Sequence, residues 1–230
     1  MEKNDLDQDR MRERLLDAAI PHVVFDGWTD TAFLAAAADA GIDPALARVI
    51  APRGAIDLAV AYHKRGDRAM LDRLAKADLS SMRFRERVAA AVRFRLEEAD
   101  REIVRRGMTL FALPNHAPLG ASLVWGTADA IWTALGDKSD DINWYSKRAI
   151  LSGVYSSTIL YWLGDDSLGH AATWEFLDRR IDDVMRFESF KARVRENKPL
   201  MQLLSGPLKL AGRIRPPRSA ADHMPGRTER

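Results

Sequence analysis

The sequence predicts an all-α protein, and three observations carry that expectation. Strand signals are nearly absent, with little period-2 alternation and few β-branched clusters. Apolar residues recur instead at the three- and four-residue spacing of amphipathic helices along almost the whole chain. Gly and Pro interrupt that pattern where helices would stop and start, at Gly27, Gly41, Pro44, Pro52, Pro114 and Pro118.

Taken in order, Leu15, Leu16, Ala19 and Val23 make a first stripe that ends at Gly27. Thr31 is placed to cap a second helix over 32–40, which stops at Gly41. Pro44 falls in the first turn of a short third helix that runs to 51, where Pro52 ends it. A fourth helix carries Ile56, Val60 and His63 towards Gly66. Long amphipathic segments fill 69–106, broken near 79–81. The loop LPNHAPLG precedes a helix over 121–135. After GDKSDD a further helix runs to 163, its start capped by Ser139 or Asp140, and another spans 170–187. Pro199, Pro207, Pro216, Pro217 and Pro225 set off a tail. The expected organisation is a helix-turn-helix-like module over 1–68, a helical ligand-binding domain over 69–190, and a basic amphipathic tail over 191–230.

Composition excludes several classes. Cysteine is absent, which rules out disulfides and thiolate metal sites. The start, MEKNDLDQDRMRER, has no apolar core, so neither a signal peptide nor a transit peptide is expected. No uncharged apolar run reaches the roughly 18 residues of a membrane span. A cytoplasmic protein is the default expectation. The net charge of +2 hides an asymmetry: residues 186–230 hold eleven Lys or Arg against four Asp or Glu, so the positive field belongs to the tail.

The second helix, the turn at Ala40-Gly41-Ile42 and the third helix form a helix-turn-helix pattern. The stretch LLDAAIPHVVFDGWTDTAFLAAAADAGIDPALARVIAPRGAIDLAVAYH resembles the N-terminal module of TetR-family regulators, which would imply DNA binding. The charges argue against that. Lys and Arg supply most non-specific DNA affinity. Residues 27–61 carry two Arg (Arg48, Arg53) against four Asp (Asp30, Asp39, Asp43, Asp57), and the third helix, PALARVIA, offers only Arg48. The Tyr and Lys of DNA-binding TetR members are also missing there. The module is therefore read as a scaffold rather than a DNA reader.

The second half narrows the resemblance. FALPNHAPLGASLVWGTADAIWTALGDKSDDINWYSKRAILSGVYSSTILYWLGD, followed by TWEFLDRRIDDVM, is similar to the Coq-nine family of ubiquinone-biosynthesis accessory proteins. The strings LPNHAPLG and D-x-S-x-D-x-N-W-Y-x-x-R-A carry the match most densely. The resemblance implies a TetR-like fold, lipid binding and no catalytic activity. It further implies that the protein presents isoprenoid quinone precursors to the membrane-associated di-iron demethoxyubiquinone hydroxylase. A DNA-binding TetR-type regulator with an apolar effector stands as the alternative.

On their own, the residues of the ligand domain allow either a packed core or an elongated cavity. Apolar side chains alternate with Gly120, Ala121, Gly126, Ala128, Ala149 and Gly153, which leaves room between helices. The resemblance favours the cavity, holding an isoprenoid quinone precursor or a phospholipid. Its walls are then assigned to Leu123, Trp125, Ile131, Trp132, Ile150, Val154, Tyr155, Trp174, Leu177 and Ile181.

No catalytic residue, metal ligand or cofactor is assigned. The five His are scattered, with no Glu-x-x-His pair for a di-iron bundle. His116 is read as a loop side chain. In INWYSKRAIL, Trp144 lies on the apolar stripe with Leu151, Tyr155 and Trp162. Tyr145 falls on a polar line with Ser152 and Ser156. Aromatics beside Arg148 are what a protein–protein hot spot favours. The resemblance gives Trp144 and Tyr145 the role of meeting the hydroxylase, with Arg148 beside them.

In the tail, Leu200, Leu203, Leu204, Leu208, Lys209 and Leu210 mix apolar and cationic groups, which suits the surface of an anionic membrane. A peripheral association with the bacterial inner membrane is expected. A homodimer through the last two helices follows by analogy with TetR-like domains.

Overall fold

A computed structural model of the chain describes residues 2–139 and 142–196. Those residues form nine α-helices and no strand, so the all-α expectation holds. The helices are α1 (Glu2–Asp26), α2 (Asp30–Asp39), α3 (Pro44–Ile50), α4 (Ala55–Lys76), α5 (Phe84–Glu97), α6 (Arg101–Phe111), α7 (Ala117–Ala134), α8 (Ile142–Leu163) and α9 (Ala171–Glu196), with a 3-10 turn at Leu168–His170 before the last. Residues 197–230, with Leu200, Leu203, Leu204, Leu208, Lys209 and Leu210, lie outside the described part, as does Asp140.

Several boundaries differ from the sequence reading, each for a local reason. Gly27, at φ +70°, turns the chain sharply enough for Trp28 to bury and Thr29 to cap α2, its hydroxyl accepting from the Ala32 amide at 3.3 Å. Thr31 is inside the helix. Asp43 caps α3 through the amides of Ala45 and Leu46. Asp100 caps α6 in the same way, through Glu102 and Ile103, at a break the amphipathic pattern concealed. Pro118 occupies the first turn of α7, which therefore starts at Ala117 rather than 121. Asp165 accepts from the Ser167 and Thr173 amides and the Thr173 hydroxyl, fixing the turn that launches α9. That helix runs on to Glu196, beyond the expected 187.

The largest difference is α4, which passes through Gly66 instead of ending there. An interior glycine costs a helix about 1 kcal/mol relative to Ala. Here it is needed for close approach, since a Cβ at this position would meet the Arg95 guanidinium at 2.5 to 2.8 Å. The uninterrupted α4 crosses position 68 and belongs to two hydrophobic clusters. The first packs α1 to α4 around Leu15, Leu16, Val23, Trp28, Phe33, Ile50 and Leu58, and takes in Ile103 of α6. The second begins at Met70 and Leu74 of α4 and packs α5, α7, α8 and α9 around Leu96, Ile131, Tyr155, Trp162 and Leu177. Gly120 brings α7 against α6, where a Cβ would stand 2.7 Å from that of Phe111.

Candidate functional site

Between the two clusters lies a cavity of about 530 Å³ walled by α4, α5, α6, α7 and α8, with Trp28 closing one side. Its ends differ. Ala112, Ala117, Ala121 and Gly153 are exposed and form the mouth, while Ala59, Arg95, Leu96, Ile103 and Tyr155 are buried and form the closed end. Volume of this order is in the range of small-molecule sites, and the lining is mostly apolar.

The ten residues assigned to the lipid divide among four places. Leu123, Trp125 and Tyr155 line this cavity. Trp132, Ile150, Val154 and Ile181 line a second apolar groove of about 380 Å³ between α5, α7, α8 and α9. Ile131 and Leu177 are sealed in the second cluster and reach neither void. Trp174 lines neither; its indole donates to the Gly169 carbonyl at 2.8 Å and Arg93 stacks on its ring. Helical spacing shows which face turns inward, but not whether that face meets a void or a neighbouring helix.

About half of the cavity wall escaped the sequence reading. Trp28, Ala59 and Tyr62 come from the N-terminal module, and Ile103, Val104, Gly107, Met108 and Phe111 from α6. The signal was present in REIVRRGMTLF, whose apolar residues share one face with Gly107. Ser152 and Ser156, read as a polar surface line, also face the cavity, and the Ser152 hydroxyl is sealed from solvent with no hydrogen-bond partner.

A polar cluster closes the inner end. The Asp67 carboxylate accepts from Arg95 Nε at 2.7 Å and from the Thr127 hydroxyl at 2.9 Å. His63 Nε2 lies 2.9 Å from that hydroxyl, and the Arg95 guanidinium donates to the His63 carbonyl at 3.0 Å. Burial, reinforced by the Arg95 charge, lowers His63 to about 4 against the opposing pull of Asp67, so its ring is neutral at pH 7. Burial likewise pushes the Tyr155 phenol up.

The INWYSKRAIL segment forms an aromatic patch beside the mouth. Trp144 and Tyr145 pack edge to face at 4.8 Å between centroids, and both rings meet Trp125, at 6.0 and 6.4 Å. Trp144 and Tyr145 are half-buried. Arg148 corrects the expectation of an exposed contact residue: it is 2% exposed, beneath the Trp144 ring with its guanidinium carbon 4.1 Å from the centroid. Its Nε donates to Asp129 at 2.6 Å and its Nη1 to Asp137 at 2.9 Å. Asp137 also accepts from Lys147 at 2.7 Å and from the Ser139 hydroxyl at 2.8 Å. Ser139 thus serves the Asp137 network. The depth of Arg148 could not be read from spacing, because an arginine on an apolar stripe can reach outward or turn under its neighbours.

In the N-terminal module both arginines of residues 27–61 have acidic partners: Arg48 pairs with Asp30 at 2.9 Å and Arg53 with Asp57 at 2.7 Å. His116 lies 3.2 Å from the Asn115 amide and does not line the cavity. Among the described residues no cluster of His, Asp and Glu could hold a metal ion, and no helix is long and apolar enough to cross a membrane.

Comparison with known proteins adds three findings. Residues 117–188, which span α7, α8 and the first part of α9, match the COQ9 family. The chain is 33% identical to the mitochondrial ubiquinone biosynthesis protein COQ9 of Drosophila melanogaster over 78% of its own length and 57% of that protein. For the Rattus norvegicus COQ9 the figures are 30%, 77% and 60%, and for a probable coq9 protein of Dictyostelium discoideum 29%, 81% and 63%. The chain therefore spans less than two thirds of these relatives. Among solved structures, a TetR transcriptional regulator from Nitrosomonas europaea superposes with a TM-score of 0.62 at 20% identity, over 75% of this chain and 97% of that one. At that identity the likeness shows a shared TetR-type fold.

Proposed function

This chain is a homologue of the COQ9 proteins, carrying their domain at residues 117–188, and on that premise we propose that it is a non-enzymatic lipid-binding accessory protein of ubiquinone biosynthesis. It holds an isoprenoid quinone precursor in the cavity between its two clusters and presents it to the di-iron demethoxyubiquinone hydroxylase. One observation carries this reading: Trp125 belongs at once to the cavity wall and to the aromatic patch of Trp144 and Tyr145. A protein seated on that patch would stand at the cavity mouth, where a lipid must leave.

Extraction of the purified full-length protein should yield an isoprenoid lipid by mass spectrometry, and deletion of the gene should lower ubiquinone and accumulate the demethoxy precursor. A lipid-free protein that retains a promoter fragment in a salt-dependent manner would favour the DNA-binding reading instead. The acidic partners of Arg48 and Arg53, and the net negative charge of residues 27–61, are why that reading ranks second.

The tail supplies membrane contact through Leu200, Leu203, Leu204, Leu208, Lys209 and Leu210 in this proposal. A chain ending at Asn197 should lose flotation with anionic liposomes that the full chain retains; equal flotation would remove the tail's role. Two copies pair through α8 and α9, where Leu160 is 61% exposed and Tyr161 stacks on Phe176 at 4.6 Å. Sedimentation of the full chain as a monomer at micromolar concentration would dismiss that pairing.

A further inference from the structure

The second groove, between α5, α7, α8 and α9, is not used by the function proposed above. Val88, Leu151, Val154 and Ile181 line its depth and are all buried. One wall is aromatic: Trp132 stacks on Phe84 with 5.4 Å between centroids, and the Trp132 indole donates to the Lys147 carbonyl at 3.1 Å. Its volume of about 380 Å³ is in the range of small-molecule sites. The lip is apolar and cationic together. Phe84 is 43% exposed, and Met82, at the turn into α5, is 37% exposed. Arg87 reaches back to that turn, its Nε donating to the Met82 carbonyl at 3.0 Å. Of the charged groups that line the groove, Arg85 pairs with Asp182 at 2.6 Å and Lys147 with Asp137 at 2.7 Å. Lys138 also lines it, is exposed, and has no carboxylate partner among the described residues; Arg87 has none either. The charge that remains after pairing is therefore positive.

We propose that this groove takes an acyl chain of an anionic membrane phospholipid, with Lys138 and Arg87 beside the phosphate and Phe84 and Met82 at the acyl boundary. Exposed apolar side chains next to unpaired cations suit the interface of an anionic bilayer. Once the chain enters, the apolar floor faces hydrocarbon instead of water. The protein's own tail is a poorer occupant. Residues 197–230 carry seven Lys or Arg against two Asp or Glu and would bring like charge to Lys138 and Arg87. A second copy seated through the same face would set two positive lips together. The groove and the first cavity share no lining residue, so a phospholipid here is independent of what the first cavity holds. It gives the folded body a membrane contact of its own, besides the one proposed for the tail.

The test irradiates full-length protein with vesicles of equal parts phosphatidylglycerol and phosphatidylcholine. A trace of the phosphatidylglycerol carries a diazirine in one acyl chain, and adducts are mapped by peptide mass spectrometry. Adducts are expected on residues 84–88, 147–154 and 181–184. With vesicles of phosphatidylcholine alone, carrying the same diazirine, the yield there should fall at least tenfold. Lys138→Gln should lower the yield about fivefold, the worth of one cation at an anionic surface. Its melting temperature should match the wild type, because the side chain is exposed and without an ion pair. Adducts confined to residues 198–215, or to residues 103–125 of the first cavity, overturn the proposal. Equal labelling from the zwitterionic vesicles overturns it too, as does a Lys138→Gln yield equal to that of the wild type. Absence of any adduct would leave the groove to the tail or to a second copy, and overturns it as well.

Discussion

Replacing Arg148 by Ala should destabilise the fold by about 3–5 kcal/mol, the range seen when one partner of a buried ion pair is removed. The side chain of Asp137 is as buried as that of Arg148, each 3% exposed, and the two are 2.9 Å apart. Without Arg148 the carboxylate keeps Lys147 but loses its most buried partner, and Asp129 loses a 2.6 Å contact. The readout is the urea midpoint of the purified variant at constant m-value. A loss below about 1 kcal/mol, the typical worth of an exposed pair, would show that the network holds nothing in place. The same residues set an acid dependence. Burial alone would raise the Asp137 carboxyl, but hydrogen bonds from Lys147, Arg148 and Ser139 outweigh it and hold the group well below the usual carboxylate range. A depressed pKa in the folded state stabilises the protein above the unfolded value of about 4, and this contribution is lost as pH falls below it. Wild-type stability should therefore drop on acidification below pH 4, and the drop should be shallower in Arg148→Ala.

In the proposed role, replacing Trp144 by Lys should weaken binding to the hydroxylase by about 30-fold or more, the loss expected of a hot-spot aromatic, while the fold and the proposed lipid load persist. Trp144 is half-buried and rests on Arg148 and Trp125 rather than inside either cluster. Its removal therefore leaves the packing around Leu151 and Tyr155 in place. Binding is read by calorimetry with the purified partner, thermal melting reports the fold, and extracted lipid reports the cavity. A variant that melts far below the wild type would return Trp144 to the core, and undiminished partner binding would remove the patch from the interface. Tyr145→Ala serves as the companion, with a smaller loss because more apolar area is kept.

The helices themselves were legible because each carries its own pattern and punctuation. The stripe of Leu15, Leu16, Ala19 and Val23 is buried as spaced, and Gly27, Pro44 and Pro52 act where expected. Gly66 misled because a glycine inside a helix looks the same as one that ends it until the Arg95 guanidinium resting on it is seen. The polar cluster was illegible for a different reason. His63 and Asp67 stand one turn apart on α4, but Arg95 is 28 residues from Asp67 and Thr127 is 60. Only packing joins them. The cavity was half legible: the α7 and α8 faces were named, while α4 and α6 were passed over because a mixed apolar and charged helix reads as surface.

Trp28, Ala59 and Ile103 belong to the N-terminal hydrophobic cluster and also wall the cavity. The proposed role makes no use of DNA reading, and a module without a use is ordinarily free to be shed. Here the first helices cannot be shed, because the hollow would open to water on the side that Trp28 and Ala59 close. In the proposed lipid-carrying role, selection on that cavity would suffice to preserve a helix-turn-helix scaffold whose outer face is left to drift, and substitutions should accumulate on the solvent side of α3 while the residues behind it stay fixed.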